Sequence, residues 1–329
     1  MQVGFFFWPY GPDLVRRMAE NAERWGYDMI GIADTPGNAM DPWVAATIVA
    51  QATSRVEIAL CVTNLATRDP AVSAAAIASL DLIAPGRAIL GIGTGHSGTR
   101  NLGVRRSGIG ELEAGARSIR ALLHGDPAGG AHLAWVRRPS RVFLAASGPK
   151  ALAAAGRTAD GAFVNFGIAR SNIAQSEGAL AAAATGAGCD PAAIAIWQVA
   201  ALDCARDGDA ARRRIGAILA FMAAGYVLGA GDLGRRGVPE PLHGPIRELA
   251  RRYSTRPGPA DAALVEELGL FDYLASRFAV YGTPEDCRAQ LQRAEAAGLQ
   301  RVMFTVSLAS DPVETVALLG EQVLPALRS

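Results

Sequence analysis

Short apolar runs alternate along the whole chain with stretches in which apolar residues return every three or four positions. The first pattern reads as buried strands and the second as amphipathic helices. Residues 3–8 predict a strand stopped by Pro9 and Gly11. Asp13 then caps a helix with Leu14, Met18, Ala22 and Trp25 at helical spacing, ended by Gly26. Residues 29–33 and 56–62 predict the next two strands, with a helix over 43–53 between them. Pro70 opens a helix that ends near Leu82, and Pro85-Gly86 turns the chain into a strand from Ala88. The alternation continues with a helix over 111–123, a strand over 142–146, a helix through Ala154, a strand over 162–165 and a helix around 176–184. Residues 194–203 predict the seventh strand, 207–297 a mostly helical run, 301–306 the eighth strand and 311–324 a closing helix. Strands alternating with helices require parallel strands and right-handed crossovers, and eight of them point to a closed barrel. The expectation is an α/β protein, a (β/α)8 TIM barrel with a helical insertion before the last strand. Residues 1–329 form one domain in this reading, and 225–277 make an excursion over the barrel mouth.

Composition narrows the function. Half of the 329 residues are apolar, enough to fill a barrel core. Charged residues are 19% with a net charge of +1, so neither nucleic acid nor a membrane is expected as partner. The arginine clusters at 212–214, 235–236 and 251–252 read as solvated helix faces, since no aromatic residues interleave them. Cys61, Cys189, Cys204 and Cys287 have no paired short spacing, which argues against zinc and against a disulfide framework. No metal site is expected. The first residues lack a basic segment and a cleavage site, and no apolar segment reaches membrane-spanning length, so a cytoplasmic protein is expected.

In a barrel of this kind the chemistry sits where the strands end. The polar residues predicted there are Asp34, Thr63, Asn64, Arg68, Thr94, His96, Ser97, Ser147 and Asn165. The stretch 88–98 is the focus, because glycines at 91, 93, 95 and 98 follow the strand and surround Thr94, His96 and Ser97. Without a Cβ, backbone can turn sharply there and approach a ligand closely. Gly93-x-Gly95-x-x-Gly98 also matches a dinucleotide fingerprint, which requires a helix directly off the loop. Here a loop is expected to continue, with helical pattern resuming only near Gly110. His96 suits proton transfer near neutrality or a hydrogen bond to backbone. Asp34 could orient a ring or satisfy its own turn. Ser147-Gly148-Pro149-Lys150 before a helix is either an anion cradle or an ordinary Gly-Pro cap. Trp43 and the aromatic run Phe5–Phe7 read more readily as core, whereas Trp8 is placed to wall a pocket.

Five segments in order, Gly31 to Pro36, Cys61 to Pro70, Leu90 to Gly95, Ala146 to Lys150 with Ala159 to Gly161, and Tyr281 to Glu285, together resemble the bacterial luciferase-like superfamily. The nearest likeness is to its deazaflavin branch, the methylenetetrahydromethanopterin reductase-like oxidoreductases that use coenzyme F420. The resemblance implies a flavin or deazaflavin across the strand ends and a non-proline cis peptide within Cys61, Val62 and Thr63 behind the ring. It places Asp34, Asn64, Thr94 and Gly95 around that ring and Gly148, Pro149 and Lys150 at its phosphate; Arg68, Ser147 and Asn165, by their places at strand ends, are further candidates to bind the cofactor. The pterin reductases carry a carboxylate where this chain has Phe6 and commonly an Asp where it has His96. That departure implies a substrate other than a pterin, less polar, in a pocket with Phe6, Trp8 and Trp43. The implied activity is hydride transfer between coenzyme F420 and a small organic substrate, with His96 handling the proton and Asp34 beside it. The alternative is an FMN-dependent monooxygenase using reduced flavin and O2. Relatives are usually dimers, so a homodimer is implied.

Overall fold

A computed structural model describes residues 1–227, 231–254, 257–309 and 311–328. In chain order the elements are β1 (Gln2–Phe7), α1 (Pro12–Trp25), β2 (Met29–Ile32), α2 (Pro42–Ala52), β3 (Glu57–Asn64), α3 (Pro70–Ile83), β4 (Ala88–Gly93), α4 (Ser97–Asn101) and α5 (Ile109–Leu123). They continue with β5 (Arg141–Ala146), α6 (Pro149–Thr158), β6 (Gly161–Val164), α7 (Arg170–Gly186), β7 (Ala195–Cys204) and α8 (Gly208–Ala220). The chain ends with α9 (His243–Arg252), α10 (Pro259–Glu267), α11 (Phe271–Phe278), β8 (Ala279–Gly282), α12 (Pro284–Ala296), β9 (Arg301–Thr305), α13 (Pro312–Gln322) and α14 (Leu324–Arg328).

The strands form one sheet in the order β6-β5-β4-β3-β2-β1-β9-β7-β8, and β6 also pairs with β7. Eight strands therefore close into a ring with helices between them, the expected (β/α)8 barrel, and β8 adds to β7 outside the ring. The pairings β2–β3, β3–β4, β4–β5, β7–β8 and β7–β9 are parallel, with Met29 opposite Glu57 on β2 and β3 and Cys204 opposite Gly282 on β7 and β8.

The helices start where the sequence tells them to. Pro42, Pro70, Pro284 and Pro312 each open a helix, behind Asp41, Asp69, Thr283 and Asp311, whose side chains accept from the first-turn amides. Proline is preset for the first helical residue, and the short polar side chain satisfies amides that have no partner in the helix. Asp13 does not cap α1 as expected. Pro12 starts the helix a residue earlier, so Gly11 is the cap and Asp13 lies in the first turn. Val15, Met18, Ala19 and Ala22 then form the buried stripe.

Two compact units are distinguished. One comprises Phe6–Phe163 and Gly178–Ile196. Its interior is the apolar run of its strands, with Ile30, Ile32, Ile58, Leu60, Ile89, Leu90, Val142 and Leu144 fully buried. Strands covered on both faces are expected to read this way. The other comprises Met1–Phe5, Val164–Glu177 and Trp197–Ser329, with Leu202, Val280, Val302, Met303, Phe304 and Phe278 in its interior.

Two expectations need correction. The run 207–297 is not helical throughout, since β8 interrupts it with four residues, Ala-Val-Tyr-Gly, paired to β7. Within 225–277, where α9, α10 and α11 form the helical insertion, residues 228–230 and 255–256 lie outside the described residues. The loop after β4 also folds sooner than its glycines suggest, because α4 begins directly after His96. Tertiary packing supplies what helix propensity lacks there: a Cβ on Gly98 would stand 3.0 Å from Pro36, and Ser97 Oγ lies 3.2 Å from Thr35 Oγ1.

Candidate functional site

The ends of β2, β3, β4 and β5 converge within the first of these units. Ile32 pairs with Leu60, Asn64 with Gly93 and Ile92 with Leu144, so Asp34, Thr63, the Thr94–His96 turn and Ser147 leave neighbouring strands at one level. The peptide bond between Cys61 and Val62 is cis, where the resemblance placed one, and the pairing of β3 with β4 shifts between Leu60 and Thr63. Gly91 makes this approach possible. A Cβ there would lie 2.2 Å from the Leu60 carbonyl oxygen and 2.9 Å from Val62 Cγ1.

Asp34 is buried and accepts a 2.6 Å hydrogen bond on Oδ2 from the Thr63 hydroxyl. Burial raises its pKa above the usual carboxylate range; the Thr63 bond and the positive charge of Arg68 act against that rise, and Asp41 adds to it. Asn64 turns inward on its own loop, its Oδ1 accepting from the Ala66 and Thr67 amides and the Thr67 hydroxyl, each at 3.1 Å. Arg68 is held by Asp41 and lies over the Trp43 ring at 5.8 Å. Asp41 therefore serves α2 and Arg68 together, a role its position before Pro42 signals only in part. The Cys61 thiol is buried and its pKa is pushed up by burial, so it stays protonated.

His96 departs most from its sequence reading. Its pKa is pushed down to about 4, by burial first and then by the positive charges of Arg106 and Arg100. The side chain is thus a neutral imidazole at neutral pH, able to offer one N–H and one acceptor nitrogen but no ready positive charge. Gly95 precedes it at φ 89°, a left-handed conformation that glycine adopts without strain, and Thr99 fills the space a Cβ would need, 2.4 Å away. Thr94 Oγ1 accepts from Arg106 at 3.1 Å, and Thr99 donates to the His96 carbonyl at 3.0 Å. Thr35, Ser97, Thr99 and Arg106 thus shape the β4 turn. Ser97 was marked by its place among glycines; Arg106, twelve residues beyond Thr94, carries no local sequence signal.

The turn after β5 leads Ser147 into Gly148, the cap of the ten-residue α6, with Pro149 at its start and Lys150 exposed on its first turn. Lys150 is the single lysine of the chain and makes no ion pair among the described residues. Gly148 has no side chain to offer the first amides of α6, so those amides and the lysine can meet an anion. Trp8 is buried with its ring edge-on to Tyr10 at 6.2 Å, and Phe6 is half-buried. In the second unit, Asn165 follows β6 directly, and its Oδ1 is buried with no hydrogen-bond partner among the described residues. A buried amide oxygen without a donor costs free energy, which a ligand N–H or O–H would recover. No group of three metal-ligating side chains is found among the described residues, and no described helix is long and apolar enough to cross a membrane.

The chain is 26% identical over 339 residues to the 5,10-methylenetetrahydromethanopterin reductase of Methanolobus tindarius, covering 98% of this chain and 100% of that one. Among solved structures, the coenzyme F420-dependent tetrahydromethanopterin reductase of Methanopyrus kandleri superposes with a TM-score of 0.80 at 22% identity, over 99% of both chains. An F420-dependent secondary alcohol dehydrogenase in complex with an F420-acetone adduct superposes with a TM-score of 0.75 at 20% identity, over 100% of this chain and 99% of that one. Residues 10–301 match the luciferase-like monooxygenase family, and the chain belongs to that family.

Proposed function

We propose that this chain, an oxidoreductase of the luciferase-like family, uses the deazaflavin coenzyme F420 to reduce or oxidise a small organic substrate. The observation that carries this reading is the end-to-end likeness to methylenetetrahydromethanopterin reductases, over 98% and 100% of the chain for the two first relatives. The residues fit such a cofactor. Gly91 and Gly93 keep side chains away from Val62, and the Gly148–Lys150 turn offers amides and one ammonium to a phosphate. When bound, coenzyme F420 supplies the hydride chemistry.

The chain's own residues do the rest. Lys150 and the first amides of α6 hold the phosphate. Asp34, kept in place by Thr63, would orient the ring by a hydrogen bond. His96, neutral at working pH, takes through its acceptor ring nitrogen the proton released when the substrate is oxidised, and offers only an N–H hydrogen bond in the reverse direction. Trp8 and Phe6 exclude water from the same space. The resemblance implies acids in the pterin reductases at the positions of Phe6 and His96, and on that ground the proposed substrate is not a pterin. We also propose that the protein acts in the cytoplasm as a homodimer, and light scattering of the purified chain checks the dimer.

The family to which the chain belongs is named for monooxygenases, which favours a second reading, an FMN enzyme using reduced flavin and O2. Expression in a host that makes both cofactors separates the two. Ligand released from the purified protein with the absorbance of the deazaflavin supports the first reading; FMN alone overturns it.

A further inference from the structure

We propose that the turn after β4 holds an anionic group of the substrate, a carboxylate or a phosphate, between the guanidinium groups of Arg100 and Arg106, beside the His96 ring. This rests on the oxidoreductase reading above and names the class of compound it acts on: small organic acids or phosphate esters.

The chain builds this cationic corner deliberately. Arg100 lies on the last turn of α4, its amide bonded to the His96 carbonyl at 3.0 Å. The chain then reverses, with Gly103 N bonded to Arg100 O at 3.2 Å and Val104 N to Thr99 O at 3.0 Å. It returns to the β4 exit through Ser107 N bonded to Thr94 O at 2.9 Å, and this return brings Arg106 Nη2 to Thr94 Oγ1 at 3.1 Å. Arg106 thus stands beside Thr94, two residues before His96, and the positive charge of the exposed Arg100 also reaches the imidazole.

Their charges are uncompensated. Arg105, between them, is neutralised by Glu111 through a double contact at 2.6 and 3.1 Å, and Glu111 also accepts from Gly108 N. Arg100 and Arg106 have no carboxylate within ion-pair distance among the described residues, and Arg106 commits only one of its donors, to Thr94. Both positive charges act on His96 in addition to burial. A pair of guanidinium groups with most of its donors unused matches the planar oxygens of carboxylate or phosphate, which arginine binds by paired hydrogen bonds. The proposed function assigns the phosphate of the cofactor to Lys150 instead.

The test uses the full chain and follows the imidazole signals of its four histidines by nuclear magnetic resonance. The His96 signal is assigned by its loss in His96→Gln. Titration with inorganic phosphate, and separately with succinate, at neutral pH is expected to shift that signal saturably. Arg105→Gln and the charge-keeping Arg106→Lys retain the shift, while the double variant Arg100→Gln/Arg106→Gln weakens the binding by about tenfold or more. No saturable shift in the unaltered chain, or an equal shift in the double variant, overturns the proposal. The titration is then repeated with coenzyme F420 bound. A surviving shift supports a substrate site; its disappearance means that the arginines hold the cofactor's own anionic tail, and overturns the assignment. If coenzyme F420 fails to bind at all, by its own absorbance, the preceding reading has failed, and the first titration still decides this one.

Discussion

The Thr63 hydroxyl donates to Asp34 Oδ2 at 2.6 Å, joining the ends of β3 and β2 in a place where both side chains are buried. A buried carboxylate without its donor pays the full cost of desolvation, and this bond, together with the charge of Arg68, opposes the rise in the Asp34 pKa that burial causes. Thr63→Val keeps the shape and removes the donor. It is expected to lower stability by about 1–3 kcal/mol in urea unfolding and to raise the Asp34 pKa further, read from the carboxyl carbon signal. Asp34→Asn is expected to fold normally and to bind the cofactor more weakly.

His96 gives the fold a pH dependence with a definite sign. Its folded pKa of about 4 lies below the unfolded value near 6.5. Between those two values the unfolded chain binds more protons, so this contribution to stability is present above pH 6.5 and is lost as pH falls toward 4. His96→Gln removes it. Denaturant unfolding of both proteins at neutral pH and near pH 4.5 is expected to show the variant gaining on the order of 2 kcal/mol relative to its parent at the lower pH.

Gly91 tests the floor of the site. Gly91→Ala would press a methyl group onto the Leu60 carbonyl at 2.2 Å and Phe163 at 2.9 Å, and is expected to cost about 3 kcal/mol or more, read as a lowered melting temperature. Gly110 in α5 has nothing within 4 Å of the corresponding position. Gly110→Ala is expected to be neutral or to stabilise by up to about 1 kcal/mol.

Lys150 carries the only positive charge contributed by lysine, and it stands on the first turn of α6. Lys150→Ala is expected to weaken cofactor binding by about tenfold and to flatten its dependence on salt, with melting temperature unchanged. Fluorescence titration at low and high ionic strength checks both.

Most of this architecture was legible from local chemistry. Buried strands such as β4 announce themselves as unbroken apolar runs between glycines, and proline behind an acid marks the start of α2 and α3. What escaped depends on contacts distant in sequence. β8 is four residues squeezed between two helices and becomes a strand through pairing with β7. α4 contains Gly98 and is held by Pro36 and Thr35, sixty residues earlier, so its own propensity gives no sign of it. The places of Asp34, Thr63 and His96 at neighbouring strand ends were legible. The low pKa of His96 was not, because it follows from burial and from Arg106, which only the folded turn brings near. Arg68, which reads as a rim cation, is instead tied to Asp41 and Trp43.

Cofactor preference is the central claim, and it is measured most directly by titrating the purified chain with coenzyme F420 and with FMN under identical conditions, following the fluorescence of each. The account predicts saturable, stoichiometric binding of the deazaflavin that is weakened in Lys150→Ala and in Asp34→Asn. Tight binding of FMN with no binding of coenzyme F420 would contradict it.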